Sequence, residues 1–249
     1  MSNFSTPGST VVPPPPPPEP TAALWEDFVD IFYAPSSVFT RRERSGFGWP
    51  LLITTVLIGS IALANSGVMQ PLMDAEFERS MRIAARDPRF TAEAMERGRS
   101  FAESLVKIGG FIFPPFAILI TGFFLWLIGK LVDAKETLGA AMMVTAYAYT
   151  VRVVEVVING VQGLLMDPSS MTSRYKLTFG AARFMDPDLT SPVLLAVVGR
   201  MDLFTIWLTV LMAIGLSATG KISRQQGYLA GAMLWVAGAL PGVFQALRM

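Results

Sequence analysis

The sequence contains no cysteine and no histidine, and these two absences exclude several classes of function. A chain without cysteine has no disulfides, no thiolate metal sites and no cysteine nucleophile. A chain without histidine lacks the commonest metal ligand and the commonest general base. A Ser–His–Asp hydrolase, a zinc enzyme and a histidine-ligated haem protein are therefore excluded. Because no glycine-rich phosphate loop or G-x-S-x-G motif occurs either, we expect a protein that is not an enzyme and has no catalytic, cofactor or metal site.

Charge is also scarce along the 249 residues. Only 16% of the residues are charged, whereas soluble domains average about 25%. Hydrophobic residues make up 52% and the mean hydropathy is +0.47, which is typical of a protein that lies in a lipid bilayer. The formal net charge is +1, so there is no excess of basic residues to bind the phosphates of a nucleic acid. The composition indicates a lipid-embedded protein and no nucleic-acid partner.

Five long apolar segments account for this composition. About 20 apolar residues span a bilayer as a helix, and the candidates are residues 49–69, 108–129, 138–160, 201–220 and 226–247. The second contains Pro114 and Pro115, which should kink it near one end. The pattern predicts an all-α fold, a polytopic membrane bundle of about five transmembrane helices with short amphipathic and extramembrane helices.

Two segments precede the first apolar run. Residues 1–20 form a proline-rich tail that includes the unbroken run at 13–18, and we expect this tail to be disordered or extended as polyproline helix. It is either a solvated spacer or a docking peptide for an aromatic groove. No basic region precedes an apolar core here, so we expect no secretory signal peptide. Residues 21–33 predict a short amphipathic helix, ended by Pro35, that packs on the protein with Glu26, Asp27 and Asp30 off its apolar face.

Residues 21–249 would then constitute one membrane domain with two polar excursions. Residues 74–105 are rich in opposite charges at i,i+4 spacing and predict a helical hairpin outside the membrane, broken near Asp87-Pro88. Residues 167–191 predict a loop, and the apolar stretch 192–199 is too short to cross. Basic residues in short loops stay cytoplasmic, and with five spans they share one side, at Arg41, Arg42, Arg44, Lys130, Lys135, Lys221 and Arg224. The N-terminus is therefore predicted to be cytoplasmic and the C-terminus to lie outside.

A row of glycines marks the last apolar segment. Gly227, Gly231, Gly238 and Gly242 lie near one face of a helix, and small residues let helix backbones approach closely in lipid. We predict that this face packs against another helix, either inside the bundle or between two copies of the chain. The alternative is that these glycines reflect only the frequency of glycine in membrane helices.

Four charges interrupt the third apolar segment or stand at the start of the fourth: Arg152, Glu155, Arg200 and Asp202. A lone charge in hydrocarbon costs at least about 2.5–3.5 kcal/mol. We therefore expect a mainly structural network in which Arg152 faces Asp202 and Glu155 is available to Arg200. Independent snorkelling of each charge and a transport or proton path are the alternatives.

The order of several motifs resembles the prokaryotic branch of the Ypt-interacting-protein (Yip) family of five-span membrane proteins. The similar stretches are residues 30–39, 139–147, 202–215 and 221–223. The resemblance implies a helical membrane domain with a cytoplasmic N-terminus in the bacterial inner membrane. Eukaryotic members bind Rab-type GTPases and favour Tyr-Gly-Pro before the first span, where this chain has Tyr33-Ala34-Pro35. We therefore carry over fold, topology and membrane association, and do not extend GTPase binding to this chain.

These observations favour a non-enzymatic integral membrane protein that organises protein partners or lipid. Its expected partners are the lipid bilayer and either a second copy of the chain or another membrane protein. The alternative is a small transporter or permease subunit, because intramembrane charges often mark transport paths. No inverted repeat is evident in the sequence, which weighs against that alternative.

Overall fold

The computed structural model describes residues 23–84 and 92–247, and these are folded into α-helices without a β-strand. The helices are α1 (Asp27–Asp30), α2 (Pro35–Arg42), α3 (Gly48–Ala64), α4 (Gln70–Ala84), α5 (Ala92–Leu131), α6 (Leu138–Ala148), α7 (Thr150–Leu165), α8 (Pro192–Val198), α9 (Leu203–Gly220) and α10 (Arg224–Ala246). The predicted class, a polytopic α-helical membrane bundle, is confirmed. The predicted break at Asp87-Pro88 and the tail at 1–20 lie outside the described residues.

Four helical stretches in the described part are long and apolar enough to cross a membrane. They are Ile108–Leu131, Leu138–Leu165, Leu203–Gly220 and Arg224–Ala246. The first predicted segment, 49–69, becomes a shorter apolar helix of 17 residues, α3, which ends at Ala64. The Asn65 side chain then donates to the Val156 carbonyl of α7, and the chain turns before α4 begins. At 1.5 Å per residue α3 is about 25 Å long.

The core lies around α6, which is enclosed by α3, α5 and α9. Residues 140–148 are all buried, and most of them are alanine, methionine or valine, whose short or unbranched side chains fill the space between close helices. Close approach also needs glycine: a Cβ at Gly122 would lie 3.2 Å from Cα of Met142, and one at Gly215 would clash with Val144. Helix α6 is therefore the centre of the bundle.

The N-terminal segment packs on the bundle as predicted, but its helix boundaries were wrong. Pro35 begins α2, at a helix position where its missing N–H is not needed, instead of ending a helix over 21–33. Ile31 is fully buried, and the Phe28 ring lies 5.4 Å from that of Tyr147. Asp27, expected off the buried face, is fully buried as well. Its partners, described below, explain this position.

The two polar excursions meet at one end of the bundle, which we call the far end. Helix α4 and the start of α5 cover the two arms of the predicted hairpin, and between them Arg99 lies 3.7 Å from Asp74 and over the Phe77 ring. The residues that would connect the arms lie outside the described part. Residues 167–191 form the predicted loop, which contains three short 3₁₀ turns, and α8 is a separate short helix. Arg79 of α4 binds Asp188 of the loop at 3.0 Å. Hairpin and loop are thus joined into one layer.

Candidate functional site

The four intramembrane charges lie near one another, but the predicted pairs are wrong. Asp202 is buried and caps α9: it accepts hydrogen bonds from the backbone N–H groups of Phe204 at 3.0 Å and Thr205 at 3.3 Å. It also accepts one from the N–H of Phe179 at 2.8 Å. A carboxylate at a helix N-terminus is stabilised by unpaired N–H groups and the helix dipole. Asp202 therefore needs no arginine, and Arg152 does not bind it.

Arg152 and Glu155 form their own pair on α7. Their side chains meet at 2.5 Å, and the second terminal nitrogen of Arg152 donates to the Thr205 hydroxyl of α9 at 3.1 Å. Because the two residues are one helical turn apart, the pair forms without help from another helix. The predicted contact between Glu155 and Arg200 is therefore not made.

Arg200 instead joins α10 through main-chain carbonyls. Its guanidinium donates to the Trp235 carbonyl at 3.2 Å, and the Trp235 indole N–H donates to the Arg200 carbonyl at 3.2 Å. No carboxylate among the described residues pairs with Arg200. Arg200 is a cation held mainly by backbone dipoles.

The four glycines of α10 face other parts of the same chain. A Cβ at Gly231 would lie 3.0 Å from Cβ of Ala213 on α9, and one at Gly227 would clash with Ser217. At the other end a Cβ at Gly238 would lie 2.5 Å from Arg200, and one at Gly242 3.6 Å from Ala196 of α8. Of the two predicted locations for this face, the structure places it inside the bundle. Gly238 makes the space that the Arg200 guanidinium occupies.

Sequence reasoning missed a cavity of about 780 Å³ at the far end of the bundle. Its walls come from α4, α7, α8, the end of α10, the end of α3 and the loop 167–191. The apolar part of its lining includes Met69, Leu72, Met73, Val156 and Leu195. Glu155 and Gly242, which the sequence singled out, also line it. No local pattern could reveal the cavity, because elements distant along the chain contribute its walls.

The rim of the cavity carries charges of both signs. Arg79 binds Glu76 at 3.2 Å, and Glu76 also accepts a hydrogen bond from the backbone N–H of Arg174 at 2.8 Å. The Arg174 guanidinium lies over the Tyr175 ring and donates to its hydroxyl. Within the described residues, no ion pair engages this guanidinium. The rim thus presents one exposed cation beside an aromatic ring.

The N-terminal segment packs along the bundle, with Phe28 against Tyr147 of α6 and Phe32 against Trp207 of α9. The buried Asp27 carboxylate accepts hydrogen bonds from Arg41 at 2.7 Å, Arg42 at 2.7 Å and the Tyr147 hydroxyl at 3.0 Å. These bonds join α1 and α2 to α6. Sequence reasoning missed this network too, because its members are separated by up to 120 positions.

Comparison with known proteins agrees with this architecture. Residues 29–244 match the Yip1 domain family. The chain belongs to the Yip1 domain family. It is also 24% identical over 208 residues to "Membrane protein YknW" of Bacillus subtilis strain 168, covering 82% of this chain and 83% of that protein. No solved structure matches the chain. The family assignment made from the sequence motifs is confirmed, and this Yip1 domain protein is an integral membrane protein.

Proposed function

We propose that this Yip1 domain protein is non-catalytic and binds a membrane lipid in its far-end cavity, so that it organises lipid around the bundle. The observation that carries the proposal is the one-sided cavity itself. Its volume of about 780 Å³ lies within the range of about 300–1,000 Å³ typical of ligand sites. Its lining combines apolar side chains with charged ones, among them Glu76, Arg79 and Arg174, and an amphiphile offers partners for both kinds.

The rim favours a lipid with a phosphate in its headgroup. Arg174 is exposed, and its guanidinium contacts the Tyr175 ring and hydroxyl, while only its backbone N–H donates to Glu76. The guanidinium is therefore available to a phosphate oxygen, which arginine binds well. The methionines Met69 and Met73 in the wall are flexible and adapt to the shape of an apolar chain. Tail and headgroup would then be recognised by different walls of one site.

The basic residues in the short loops support a particular orientation of the protein in the membrane. We propose that α3 crosses the membrane together with the four longer spans, and that the N-terminus is cytoplasmic in a bacterial inner membrane. The loop between α5 and α6 and the turn between α9 and α10 then lie on the cytoplasmic side with their lysines. In this orientation the cavity opens at the level of the outer leaflet.

The alternative is a transporter, which the buried charges would favour. Three observations weigh against it. Glu155 is paired with Arg152, the Asp202 carboxylate caps α9, and the N-terminal segment that Asp27 holds packs against α6, the centre of the bundle. A lipid site needs one opening, whereas a transport path needs access from both sides.

Substitution of Met73 by tryptophan tests the proposal, because a larger side chain would occupy the cavity. The matched control is Met201→Trp, at a residue that is 52% exposed and does not line the cavity. We expect native mass spectrometry to find a phospholipid retained by the parent protein and by the control, and largely lost from Met73→Trp.

Equal lipid retention in both variants would contradict the proposal. A second arm measures solute flux in liposomes. Saturable flux that Asp202→Asn or Glu155→Gln abolishes would establish the transporter instead. If the site retained another membrane protein in place of lipid, we would conclude that this protein organises protein partners rather than lipid.

A further inference from the structure

The loop between α5 and α6 buries a carboxyl group that none of the interactions described above employs. Glu136 is 3% exposed, and neither of its carboxyl oxygens has a hydrogen-bond partner. Unpaired polar groups buried in proteins are rare, and each calls for an explanation. This one lies at the end of the bundle opposite the cavity, between the last turns of α5 and α9.

Two glycines make the space for the carboxyl group. A Cβ at Gly220, the last residue of α9, would lie 2.6 Å from one oxygen, and a Cβ at Gly129 of α5 would clash with the other. Ala134 and Leu216 complete the contact. Any larger residue at either glycine would force the carboxyl out. The site is thus shaped for this side chain, although no described group in it makes a full hydrogen bond to the carboxyl oxygens.

The charges around Glu136 do not neutralise it. Lys130 of α5 is the charge that acts on the carboxyl, but its ammonium donates to the main-chain carbonyls of Ala134 at 3.2 Å and Glu136 at 2.9 Å. Helix α9 contributes no charged residue at all. The other ionisable groups nearby are exposed, on the loop, on the turn after α9 and at the start of α10: Asp133, Lys135, Lys221 and Arg224.

Both neighbouring helices also end at this position. The C-terminus of a helix carries a partial negative charge, so the ends of α5 and α9 disfavour an ionised carboxylate, while the N-terminus of α6, which begins at Leu138, acts in the opposite sense. Burying an ionised group without a partner is costly, and such a group takes its neutral form instead. Burial accordingly raises the pKa of Glu136, although the main-chain N–H of the same residue and the Lys130 charge oppose the shift.

We propose that Glu136 is a proton-controlled latch for residues 132–137. In its neutral form the carboxyl fits between Gly129 and Gly220, and the loop lies closed against α5, α9 and α10. In its ionised form the carboxylate needs water and leaves, and the loop opens. Other bonds also hold the closed loop. Its first residues donate to the last turn of α5, the Lys130 ammonium binds two of its carbonyls, Lys135 N–H donates to the Gly220 carbonyl at 2.9 Å, and Gln226 donates to the Val132 carbonyl at 3.3 Å. The latch acts in addition to these bonds.

The direction of the pH dependence follows from the two states. Because the closed state has the higher affinity for the proton, closure is complete at pH values below the ordinary carboxyl pKa of 4.5. Closure weakens as the pH rises through the raised pKa of the buried group. A raised pKa therefore means a loop that opens on the alkaline side.

The test measures access to a buried cysteine in the loop. The chain has no native cysteine, and Ala134 is 3% exposed, so Ala134→Cys reports opening when a water-soluble maleimide reacts with it in nanodiscs. Because thiol reactivity itself rises with pH, the matched control carries Ala134→Cys together with Glu136→Gln. Glutamine has nearly the same shape as glutamate and never ionises.

We compare the labelling rate of the variant that keeps Glu136 with the rate of the control that carries Glu136→Gln. We expect the ratio of these two rates to rise with pH, by about tenfold for each unit by which the pKa is shifted. We also expect Glu136→Gln to raise the unfolding temperature at about pH 8 and to leave it unchanged at about pH 4. A ratio that stays constant with pH would overturn the latch. Val132→Cys, at a residue 7% exposed, provides a second reporter with the same two outcomes.

Discussion

Asp202 shows how a carboxylate is held inside an apolar protein without a basic partner. Its two oxygens accept three backbone N–H groups, two from the first turn of α9 and one from Phe179. Arg200 shows the converse, since its guanidinium donates to the Trp235 carbonyl. At the scale of single residues, main-chain N–H groups therefore satisfy Asp202, one carbonyl binds Arg200, whose buried Nε has no partner among the described residues, and Arg152 and Glu155 pair with each other.

Double-mutant cycles distinguish this arrangement from direct pairing of Arg152 with Asp202. For Arg152→Ala with Glu155→Ala we expect an interaction free energy of about 0.5–3 kcal/mol, because each single change leaves the other residue without its opposite charge. For Arg152→Ala with Asp202→Ala we expect additivity within about 0.5 kcal/mol. Asp202→Ala by itself should cost about 0.5–2 kcal/mol through loss of the cap.

The measurement is thermal or denaturant unfolding of the purified protein in detergent. Strong coupling between positions 152 and 202 would show that the two side chains meet. The arrangement described here would then be incorrect.

At the scale of a whole element, helix α10 shows how glycines allow close helix packing, because they carry no side chain. Its first two glycines, Gly227 and Gly231, let α10 approach Ala213 and Ser217 of α9, and Gly238 admits the Arg200 side chain. The hydrophobic effect does not drive helices together in lipid, so the attraction between them comes largely from van der Waals contact between closely packed backbones. The glycine row is thus a packing surface along most of the length of α10.

Substitutions along this row should have graded effects. Gly231→Leu inserts a side chain where a Cβ would already lie 3.0 Å from Ala213, and overpacking of this kind costs about 1–3 kcal/mol. Gly242→Ala should cost little, because its Cβ would meet Ala196 at the ordinary distance of 3.6 Å. Unfolding in detergent measures both, and an unaffected Gly231→Leu would mean that this face meets lipid.

At the scale of the molecule, the two ends of the bundle differ in kind. One end carries the loop that buries Glu136, and the N-terminal segment, whose Asp27 binds α2 and α6, packs along the bundle. The other end carries the cavity under a layer formed by α4, the loop 167–191 and α8. A protein that presents a closed face to one side of the membrane and an open site to the other suits one-sided binding.

Cysteine labelling on intact cells tests the orientation of these two ends. Ser80→Cys on α4 and Leu189→Cys in the loop should react with a membrane-impermeant maleimide, since both positions are exposed and predicted to lie outside. Ser173, in the same loop, is fully buried and would not serve. Gln225→Cys, exposed at the start of α10, should react only after the membrane is opened. The reverse pattern would invert the topology.

The local patterns of the sequence were sufficient for the fold class, the family and the positions of the apolar helices. Hydropathy is a property of each segment alone, so the spans could be found without knowing what they contact. The glycine row of α10 was visible for the same reason, because its period is that of one helix. Boundaries were less certain: Pro35 begins a helix instead of ending one, and α3 stops at Ala64.

Only the tertiary structure decided which groups meet. The partners of Asp27 and Asp202 lie on other elements or on the main chain, and no spacing along the sequence encodes them. A carboxylate in an apolar segment suggests a charge that needs a base, whereas in the fold Asp202 finds N–H groups and Glu136 finds no partner among the described residues. The cavity exists only because separate elements leave a gap. Periodicity identifies helices, but the packing of helices creates sites.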